Sequence, residues 1–471
     1  MTDEELCLLP ATTLAPLIRD KRLSPVELMR AVVARIEALE PKLNAMAAFD
    51  PALAMERARQ AEEAVMKGAA LGPLHGIPVT IKDLHWTEDF TTEAGSHTMK
   101  GFRAPADTPS VARLRAAGAV VIGKTTTSEL AWSGVSRSPL TGITSNPWKQ
   151  GYNAGASSAG AGAAAAAGYG PLHQGSDGAG SIRMPSHFCG VYGLKGTHGR
   201  VPTWPVSASD YTAHIGPMTR TVGDSALMMA VMSGPHPLDH TSLEAPPADY
   251  LGRLEEGVRG RRVAFSPDLG HARVDPEVAA IVREAATRFA AAAGLHMVET
   301  TPDWGPEGAP LIRGFYRAHM QARAALLPEY ESRMDPGLVA CIRDGAGTTM
   351  AEYQDLRMRK LAYAARIQEW FEDWDFLITP AASVAAFPAE RLIPAHWPQH
   401  DWDWLRWAEF SYPFNMAWNP AASLPAGFTQ DGLPVGLQIV GRRFDDLGVL
   451  QASRAFEQAL PWAQHTPKMV W

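Results

Sequence analysis

Short apolar stretches alternate with a helical pattern early in this chain, and that alternation constrains its fold more than any other feature. The stretches IPVTI (77–81) and AVVIG (119–123) have the length and composition of buried strands. Between them, DTPSVARLRAAG (107–118) has helical spacing and ends at Gly118, a residue type common at helix C-termini. The sequence therefore predicts an α/β fold with a central mixed, largely parallel β-sheet flanked by helices.

The chain reads as one large domain. Its 471 residues are 46% hydrophobic, which is enough for a large core. Residues 235–366 differ from the rest, because they have long Ala- and Arg-rich helical patterns in which only RRVAFS has strand character. We therefore predict a single domain over residues 1–471, with N-terminal helices in 1–70, an α/β catalytic core in 71–234 and 367–471, and a helical cap-like insert in 235–366.

Charge and composition argue against several function classes. The chain has 43 Lys and Arg against 50 Asp and Glu, for a net charge of −7, and no long run of either sign that would bind nucleic acid or an anionic membrane. No stretch is apolar enough for a transmembrane helix, and the acidic start MTDEELC is unlike a secretory signal. We expect a soluble, cytoplasmic protein, and the sequence leaves open whether it is a monomer or a homodimer.

Three short patterns resemble ligand-binding motifs but fail on physical grounds. GAVVIGKT (118–125) matches a P-loop, yet its apolar interior predicts a buried strand. GAGAAAAAG (160–168) matches a dinucleotide fingerprint, yet no apolar strand precedes it, and its small side chains predict a closely packed helix. Prolines interrupt two histidine pairs with metal-ligand spacing, His236/His240 and His396/His400. The sequence thus predicts neither a metal nor an organic cofactor.

Three segments contain residues suited to nucleophilic catalysis. Lys82 ends an apolar strand, Ser157 and Ser158 precede the Ala-rich helix, and Ser181 follows a glycine-rich turn. Each alone also fits a structural role, as a solvated charge or a helix N-cap. An apolar strand such as IPVTI supplies the burial that lowers a lysine pKa from about 10.4 towards neutrality.

These segments resemble the amidase signature family of serine hydrolases. The family's central run reads roughly GGSSGG, an Ala/Gly-rich helix, and then GSDxGGSIRxPxxFCGVxGLKPTxGR. Residues 155–200 match that run, and the spacings of Lys82, Ser157 and Ser181 fit the family pattern. The likeness spans most of the chain and is weakest over residues 235–366.

The resemblance implies a catalytic triad and an oxyanion hole. In it, Ser181 is the nucleophile, Ser157, on a cis peptide bond, relays a proton, and Lys82 is the general base. Four consecutive backbone N–H groups are expected to form the oxyanion hole, those of Gly178, Ala179, Gly180 and Ser181. The expected supporting residues are Ser158, Asp177 and Arg183. Ala179 stands where the family has glycine, and a positive φ there would strain it.

The resemblance implies hydrolysis of C–N acyl bonds through an acyl-enzyme, without a cofactor. The substrates expected are small aryl or aliphatic amides and carbamates (urethanes), with esters as a further class. Two alternatives are the amidase subunit of a tRNA-dependent amidotransferase and a non-catalytic binding protein on the same fold. The candidates for an apolar substrate pocket are Trp86, Trp132, Tyr152 and Trp204. A Trp-rich segment forms either a lip around a ligand or ordinary packing, with Trp397, Trp402, Trp404 and Trp407.

Overall fold

Strands and helices alternate along most of the chain in the computed structural model, which describes residues 1–209 and 212–469. The strands are β1 (Met46–Phe49), β2 (Pro78–Lys82), β3 (Val120–Thr125), β4 (Arg137–Ser138), β5 (Gly142–Ile143), β6 (Ser145–Asn146), β7 (Lys149–Asn153), β8 (Leu172–Asp177), β9 (Tyr192–Lys195), β10 (His214–Thr219), β11 (Arg262–Phe265), β12 (His296–Glu299), β13 (Phe376–Pro380), β14 (Ala421–Phe428) and β15 (Pro434–Gly441). The α-helices are α1 (Asp3–Leu8), α2 (Ala11–Arg19), α3 (Pro25–Leu43), α4 (Pro51–Met66), α5 (Pro109–Ala116), α6 (Ala159–Ala167), α7 (Arg183–Cys189), α8 (Val222–Met232), α9 (Pro276–Ala293), α10 (Gly308–Gln321), α11 (Leu327–Tyr330), α12 (Pro336–Gly345), α13 (Met350–Trp370), α14 (Pro413–Met416) and α15 (Asp446–Ala459). None of these described helices combines the length and apolar composition that a bilayer span requires.

The central sheet is mixed and has eleven strands in the order β1-β3-β2-β8-β10-β9-β14-β15-β13-β11-β12. The two stretches first predicted as strands form β2 and β3, which pair in parallel with α5 between them in the chain. Parallel pairs join β3, β2 and β8 on one flank and β13, β11 and β12 on the other. Antiparallel pairs join the strands between these flanks and add β1 at the edge. The predicted α/β fold with a mixed sheet flanked by helices is confirmed, and its parallel pairs lie at the two flanks.

The sheet separates two hydrophobic clusters. Along β15, Val435, Leu437 and Ile439 lie in a cluster that includes residues of α9 and α15. Val440 lies instead in a second cluster, together with Phe188 of α7. Because successive side chains of a strand point to opposite faces, each cluster covers one face of β15.

Two of the misleading sequence patterns have the structures predicted for them. The Ala-rich pattern forms α6, all of whose residues are buried. A Cβ atom on Gly160 would lie 2.4 Å from both Ala45 O and Thr126 N, so this helix packs too closely for a larger residue there. The P-loop-like pattern forms β3, and its Lys124 is buried, with Nζ donating a hydrogen bond to His85 O at 2.8 Å.

Residues 235–366 are not all helical, and part of this range belongs to the sheet. β11, predicted from RRVAFS, and β12, for which the sequence predicts no strand, extend the sheet beyond β13. β12 has only four residues, mostly exposed, so it lacks the apolar pattern of a buried strand. The range predicted as a helical insert therefore contains two strands of the sheet, and the helices α10 to α13 follow them in the chain.

Candidate active site

Lys82 is the last residue of β2, and its side chain is fully buried. Its Nζ atom donates hydrogen bonds to Ser157 Oγ at 2.7 Å and to Ser176 Oγ at 3.1 Å. Burial lowers the pKa of Lys82 to about 7, although the nearby Asp177 carboxylate opposes the shift. A lysine with a pKa near neutrality is partly unprotonated at pH 7 and can accept a proton.

Sheet register places Lys82 beside the loop that carries Ser181. β2 and β8 are parallel neighbours, with Ile81 opposite Gln174. The carboxyl ends of parallel neighbours lie at the same edge of a sheet, so Lys82 lies beside the last residues of β8, where it contacts Ser176. The loop with Ser181 follows directly and leads into α7.

Ser157 contacts both Lys82 and Ser181. Its hydroxyl accepts from Lys82, and its backbone N–H donates to Ser181 Oγ at 3.3 Å. Ser157 is 2% exposed and Ser181 is 6% exposed, so the network is nearly closed to solvent. The three residues predicted as a triad are therefore brought together, and the contact between the two serines runs through a backbone N–H.

The peptide bond before Ser157 is not cis, contrary to what the family resemblance implies. Within the described residues, the cis peptide bond is Trp204–Pro205. A trans bond is the ordinary state of a non-proline peptide, because the cis form costs about 2.5–4 kcal/mol. In this conformation, the N–H of Ser157 faces Ser181 Oγ and its hydroxyl faces Lys82.

Backbone N–H groups of Ser181 and of the residues just before it form a candidate oxyanion hole. Three of them donate to no other described residue, namely those of Gly178, Ala179 and Ser181. In the peptide unit that contains the Gly178 N–H, Asp177 O accepts from Asn415 Nδ2 at 2.9 Å. In the unit that contains the Ser181 N–H, Gly180 O accepts from Met184 N at 2.8 Å. The loop therefore holds these carbonyls while leaving the N–H groups available to a ligand oxygen.

The N–H of Gly180 does not belong to this set, contrary to the sequence prediction. It donates to Asp177 Oδ1 at 2.7 Å, so its one hydrogen is already used within the loop. Gly180 has a φ of 119°, which favours glycine, whereas Ala179 is not among the residues with positive φ. The strain considered for alanine at this position is therefore absent.

A buried ion pair ties the same loop to the C-terminal part of the chain. Arg183 Nε donates to Asp177 Oδ2 and Arg183 Nη2 to Asp177 Oδ1, each at 2.9 Å. Burial alone would raise the pKa of Asp177, but the Arg183 guanidinium outweighs it and holds that pKa well below its ordinary range. Arg183 Nη1 also donates to Ser411 O and to Gln438 Oε1, both at 2.8 Å. Through these contacts the ion pair fixes the loop before Ser181 to the C-terminal part of the chain.

Ser158 links the start of α6 to β8. Its hydroxyl donates to Ser176 O at 3.0 Å and accepts from Ser176 N at 3.2 Å. Ser176 was missed by sequence reasoning, although the strand register next to Lys82 is the signal that could have found it. Three partners of the loop from distant segments of the chain were also missed: Ser411, Asn415 and Gln438.

The aromatic candidates divide into two groups. Trp132 is fully buried in the hydrophobic cluster that contains Ala179, and Tyr152 packs against that cluster. Trp86 instead packs against Phe102, with ring centroids 5.8 Å apart, and Trp204 is 39% exposed. The four tryptophans of the Trp-rich segment are buried in the cluster of Ala179, namely Trp397, Trp402, Trp404 and Trp407. Their burial favours ordinary packing, and Trp402 also lines a cavity away from the triad candidates.

A cavity of about 750 Å³ lies apart from the catalytic candidates, between α10, α13 and residues 400–406. Its lining includes Arg313, Asp355 and Asp403 but none of the predicted triad residues. Among the described residues, no group of three or more His, Cys, Asp and Glu side chains is arranged to hold a metal ion.

Comparison with known proteins finds relatives of one family along nearly the whole chain. The family model described as Amidase matches residues 27–450. An acylamidase of Rhodococcus erythropolis is 39% identical over 99% of this chain and 98% of that protein. A glutamyl-tRNA(Gln) amidotransferase subunit of Chloroflexus aggregans is 33% identical over 95% of each chain.

Solved structures match equally widely. A bacterial aryl acylamidase of the amidase signature family has a TM-score of 0.89 at 27% identity and covers 97% of each chain. A 6-aminohexanoate cyclic dimer hydrolase has a TM-score of 0.89 at 30% identity and covers 99% of each chain. With a family model over most of its length and relatives above 30% identity, this chain belongs to the amidase family and is an amide-hydrolysing enzyme.

Proposed function

We propose that this enzyme hydrolyses C–N acyl bonds by nucleophilic attack of Ser181, with Lys82 as the general base and Ser157 as the proton relay. The observation that carries the proposal is the contact series from Lys82 Nζ to Ser157 at 2.7 Å and from Ser157 to Ser181 Oγ at 3.3 Å. The lowered pKa of Lys82, about 7, supports its role as a base.

The reaction proceeds through an acyl-enzyme. Ser181 Oγ attacks the carbonyl carbon as its proton passes by way of Ser157 to the unprotonated Lys82. The oxygen of the tetrahedral intermediate receives hydrogen bonds from the free N–H groups of the loop, those of Gly178, Ala179 and Ser181. The amine leaves with a proton returned from Lys82, and water then hydrolyses the ester on Ser181. The relay requires the hydroxyl of Ser157, in place of its N–H, to face Ser181 Oγ during the reaction.

We assign the substrate to small amides with an apolar acyl or aryl group. Trp132 belongs to, and Tyr152 packs against, the same hydrophobic cluster as Ala179, a residue of the candidate oxyanion hole. The acylamidase and aryl acylamidase relatives also support this class. Carbamates and esters form the same kind of tetrahedral intermediate, so they are further candidate substrates.

The second candidate function is that of the amidase subunit in an amidotransferase complex, because the chain is also similar to such a subunit from Chloroflexus aggregans. A free-standing acylamidase is favoured on two grounds. Sequence identity is 39% to the acylamidase against 33% to the amidotransferase relative. The TM-score is 0.89 for the aryl acylamidase against 0.79 for the corresponding amidotransferase protein of Thermotoga maritima.

A matched substrate panel tests this proposal. The panel contains a nitroanilide, an aryl carbamate, a primary aliphatic amide, an ester and free glutamine, each with wild type, Ser181→Ala and Lys82→Ala. We expect turnover of the anilide and the carbamate by the purified chain alone, and loss of turnover in both variants. Glutamine as the only substrate, with a co-purifying partner chain, would favour the amidotransferase. Activity that survives Ser181→Ala would contradict the proposed nucleophile.

A further inference from the structure

We infer that Ser411 is a positioning residue for the oxyanion hole, because its hydroxyl fixes the peptide plane between Ala179 and Gly180. This inference rests on the proposed function and adds to it a residue that lies 232 positions beyond Ala179 in the chain. Ser411 touches the loop and not the reacting atoms, so it acts through the backbone that it holds.

The Ser411 hydroxyl is committed to the loop. Its Oγ atom donates to Ala179 O at 2.6 Å, and it also lies 2.9 Å from Ala408 O. Ala408 O already accepts from the backbone N–H of Ser411 at 3.2 Å. The shorter contact and the unshared acceptor both assign the hydroxyl hydrogen to Ala179 O.

The peptide unit that accepts this hydrogen bond is held at both ends. The carbonyl of Ala179 and the N–H of Gly180 belong to one rigid plane. Ser411 binds the carbonyl, and Asp177 Oδ1 accepts from the Gly180 N–H at 2.7 Å. A plane held at opposite ends cannot rotate without breaking both hydrogen bonds.

Rotation of that plane would reorient the donors on either side of it. The N–H of Ala179 precedes the plane and the N–H of Ser181 follows it, and both belong to the candidate oxyanion hole. Packing leaves little slack, because a Cβ atom on Gly180 would lie only 2.5 Å from Ser411 Oγ. Ser411 is also fully buried, so water does not replace its hydroxyl as a donor in the folded protein.

This role predicts a specific kinetic signature. Ser411 makes no hydrogen bond to Lys82 or Ser157, so its loss leaves the general base unchanged. Donors aimed at the oxyanion act on the transition state more than on the bound substrate. Loss of the Ser411 hydroxyl therefore lowers kcat, leaves KM nearly constant and does not move the midpoint of the pH–rate profile.

The test compares Ser411→Ala with wild type and with Ser453→Ala. Ser453 in α15 is the control, since it is fully buried and its hydroxyl donates to the backbone carbonyl of Val449 at 2.7 Å while accepting from the Tyr192 hydroxyl at 3.1 Å. Removal of a direct oxyanion donor costs about 10²–10³ in kcat, so an indirect role predicts a loss of about 10- to 100-fold for Ser411→Ala. We expect KM within about threefold of wild type, slower phosphonylation of Ser181 by a fluorophosphonate in the same proportion, and kcat within about twofold for Ser453→Ala.

Ser411→Cys keeps the test decisive if the alanine variant does not fold. A thiol keeps a donor on the same carbon, although sulfur is larger than oxygen and donates a weaker hydrogen bond, so we expect a kcat between those of wild type and Ser411→Ala. A folded Ser411→Ala or Ser411→Cys with wild-type kcat, or a loss that appears only in KM, overturns the inference. Equal rates of phosphonylation in wild type and Ser411→Ala overturn the inference about Ser411 but leave the proposed function standing. Absence of phosphonylation at Ser181 in wild type overturns both.

Discussion

The Nζ atom of Lys82 lies 2.7 Å from the hydroxyl oxygen of Ser157, inside the protein and at the end of a strand. The strand is buried on both sides, so the ammonium form of Lys82 loses its hydration. The hydrogen bond links this poorly solvated amine to Ser157, the residue that contacts Ser181. Strand burial thus has a direct consequence for the chemistry proposed at Ser181.

The first prediction concerns the pH dependence of activity. In the proposed mechanism the unprotonated form of Lys82 is the base, so kcat/KM is expected to rise with pH, with a midpoint near the pKa of about 7. Lys82→Arg is expected to be inactive at every pH, since an arginine stays protonated. A pH–rate profile on an anilide checks both, and a rate that is flat or falls from pH 6 to pH 8 would argue against Lys82 as the base.

A second prediction concerns stability. The folded protein holds Lys82 at a pKa of about 7 against 10.5 in the unfolded chain, so the unfolded chain binds an extra proton between these values. The contribution of Lys82 to the free energy of unfolding therefore becomes more favourable as pH rises through that window and is least favourable below pH 7. We expect Lys82→Met to raise the unfolding free energy, with a gain that is larger at pH 6 than at pH 9 by on the order of 2 kcal/mol.

Denaturant titrations at the two pH values measure that difference. Lys67→Met is the control, because the Lys67 side chain is 70% exposed, and we expect it to change stability little at either pH. An equal gain for Lys82→Met at both pH values would contradict the burial account of its pKa.

The third prediction concerns the buried ion pair. Asp177→Asn leaves the buried Arg183 guanidinium without its carboxylate partner, and breaking such a pair costs about 3–5 kcal/mol. We expect a much lower thermal midpoint together with loss of activity, because the same carboxylate holds the Gly180 N–H. Differential scanning calorimetry checks the stability term. Glu256→Gln breaks an exposed pair with Arg253 and is expected to leave the midpoint unchanged, so equal effects of the two substitutions would refute the prediction.

A fourth prediction compares two glycines of the same loop. Gly180 has a φ of 119°, and an added Cβ atom would lie 2.5 Å from Ser411 Oγ, so Gly180→Ala is expected to cost about 1–3 kcal/mol of stability and most of the activity. Gly178 lacks a positive φ and has no atom within 4 Å of an added Cβ, so Gly178→Ala is expected to fold with nearly wild-type stability. Thermal melts of both variants measure the difference in stability. Similar destabilisation of the two variants would contradict the prediction that only Gly180 is required by the backbone geometry of the loop.

Much of the candidate site is predicted from motifs in the sequence, through their resemblance to the amidase signature family. Lys82 stands at the end of an apolar strand, and a strand end is where a parallel sheet presents side chains to a site. Ser181 follows flexible residues that allow a loop with exposed N–H groups. The mixed sheet is predictable for the same reason, because its strands are short apolar runs between helical patterns.

The rest depends on contacts that no local pattern encodes. Ser411 and Asn415 contact the loop before Ser181 from more than 200 residues away, and their own surroundings form an aromatic packing segment with no catalytic motif. Gly180 is a second example of a contact that the sequence does not predict. Its N–H was expected in the oxyanion hole, but in the folded loop it donates to Asp177. β12 is missed for another reason: it lies at the edge of the sheet and buries little apolar surface.

The most direct test of the account is to trap the acyl-enzyme. The purified chain is mixed with a nitrophenyl ester, quenched during turnover and digested, and the acylated residue is identified by mass spectrometry. The account predicts one acyl group on Ser181, and none there in Lys82→Ala under the same conditions. An acyl group on another residue, or steady turnover by Ser181→Ala, would contradict it.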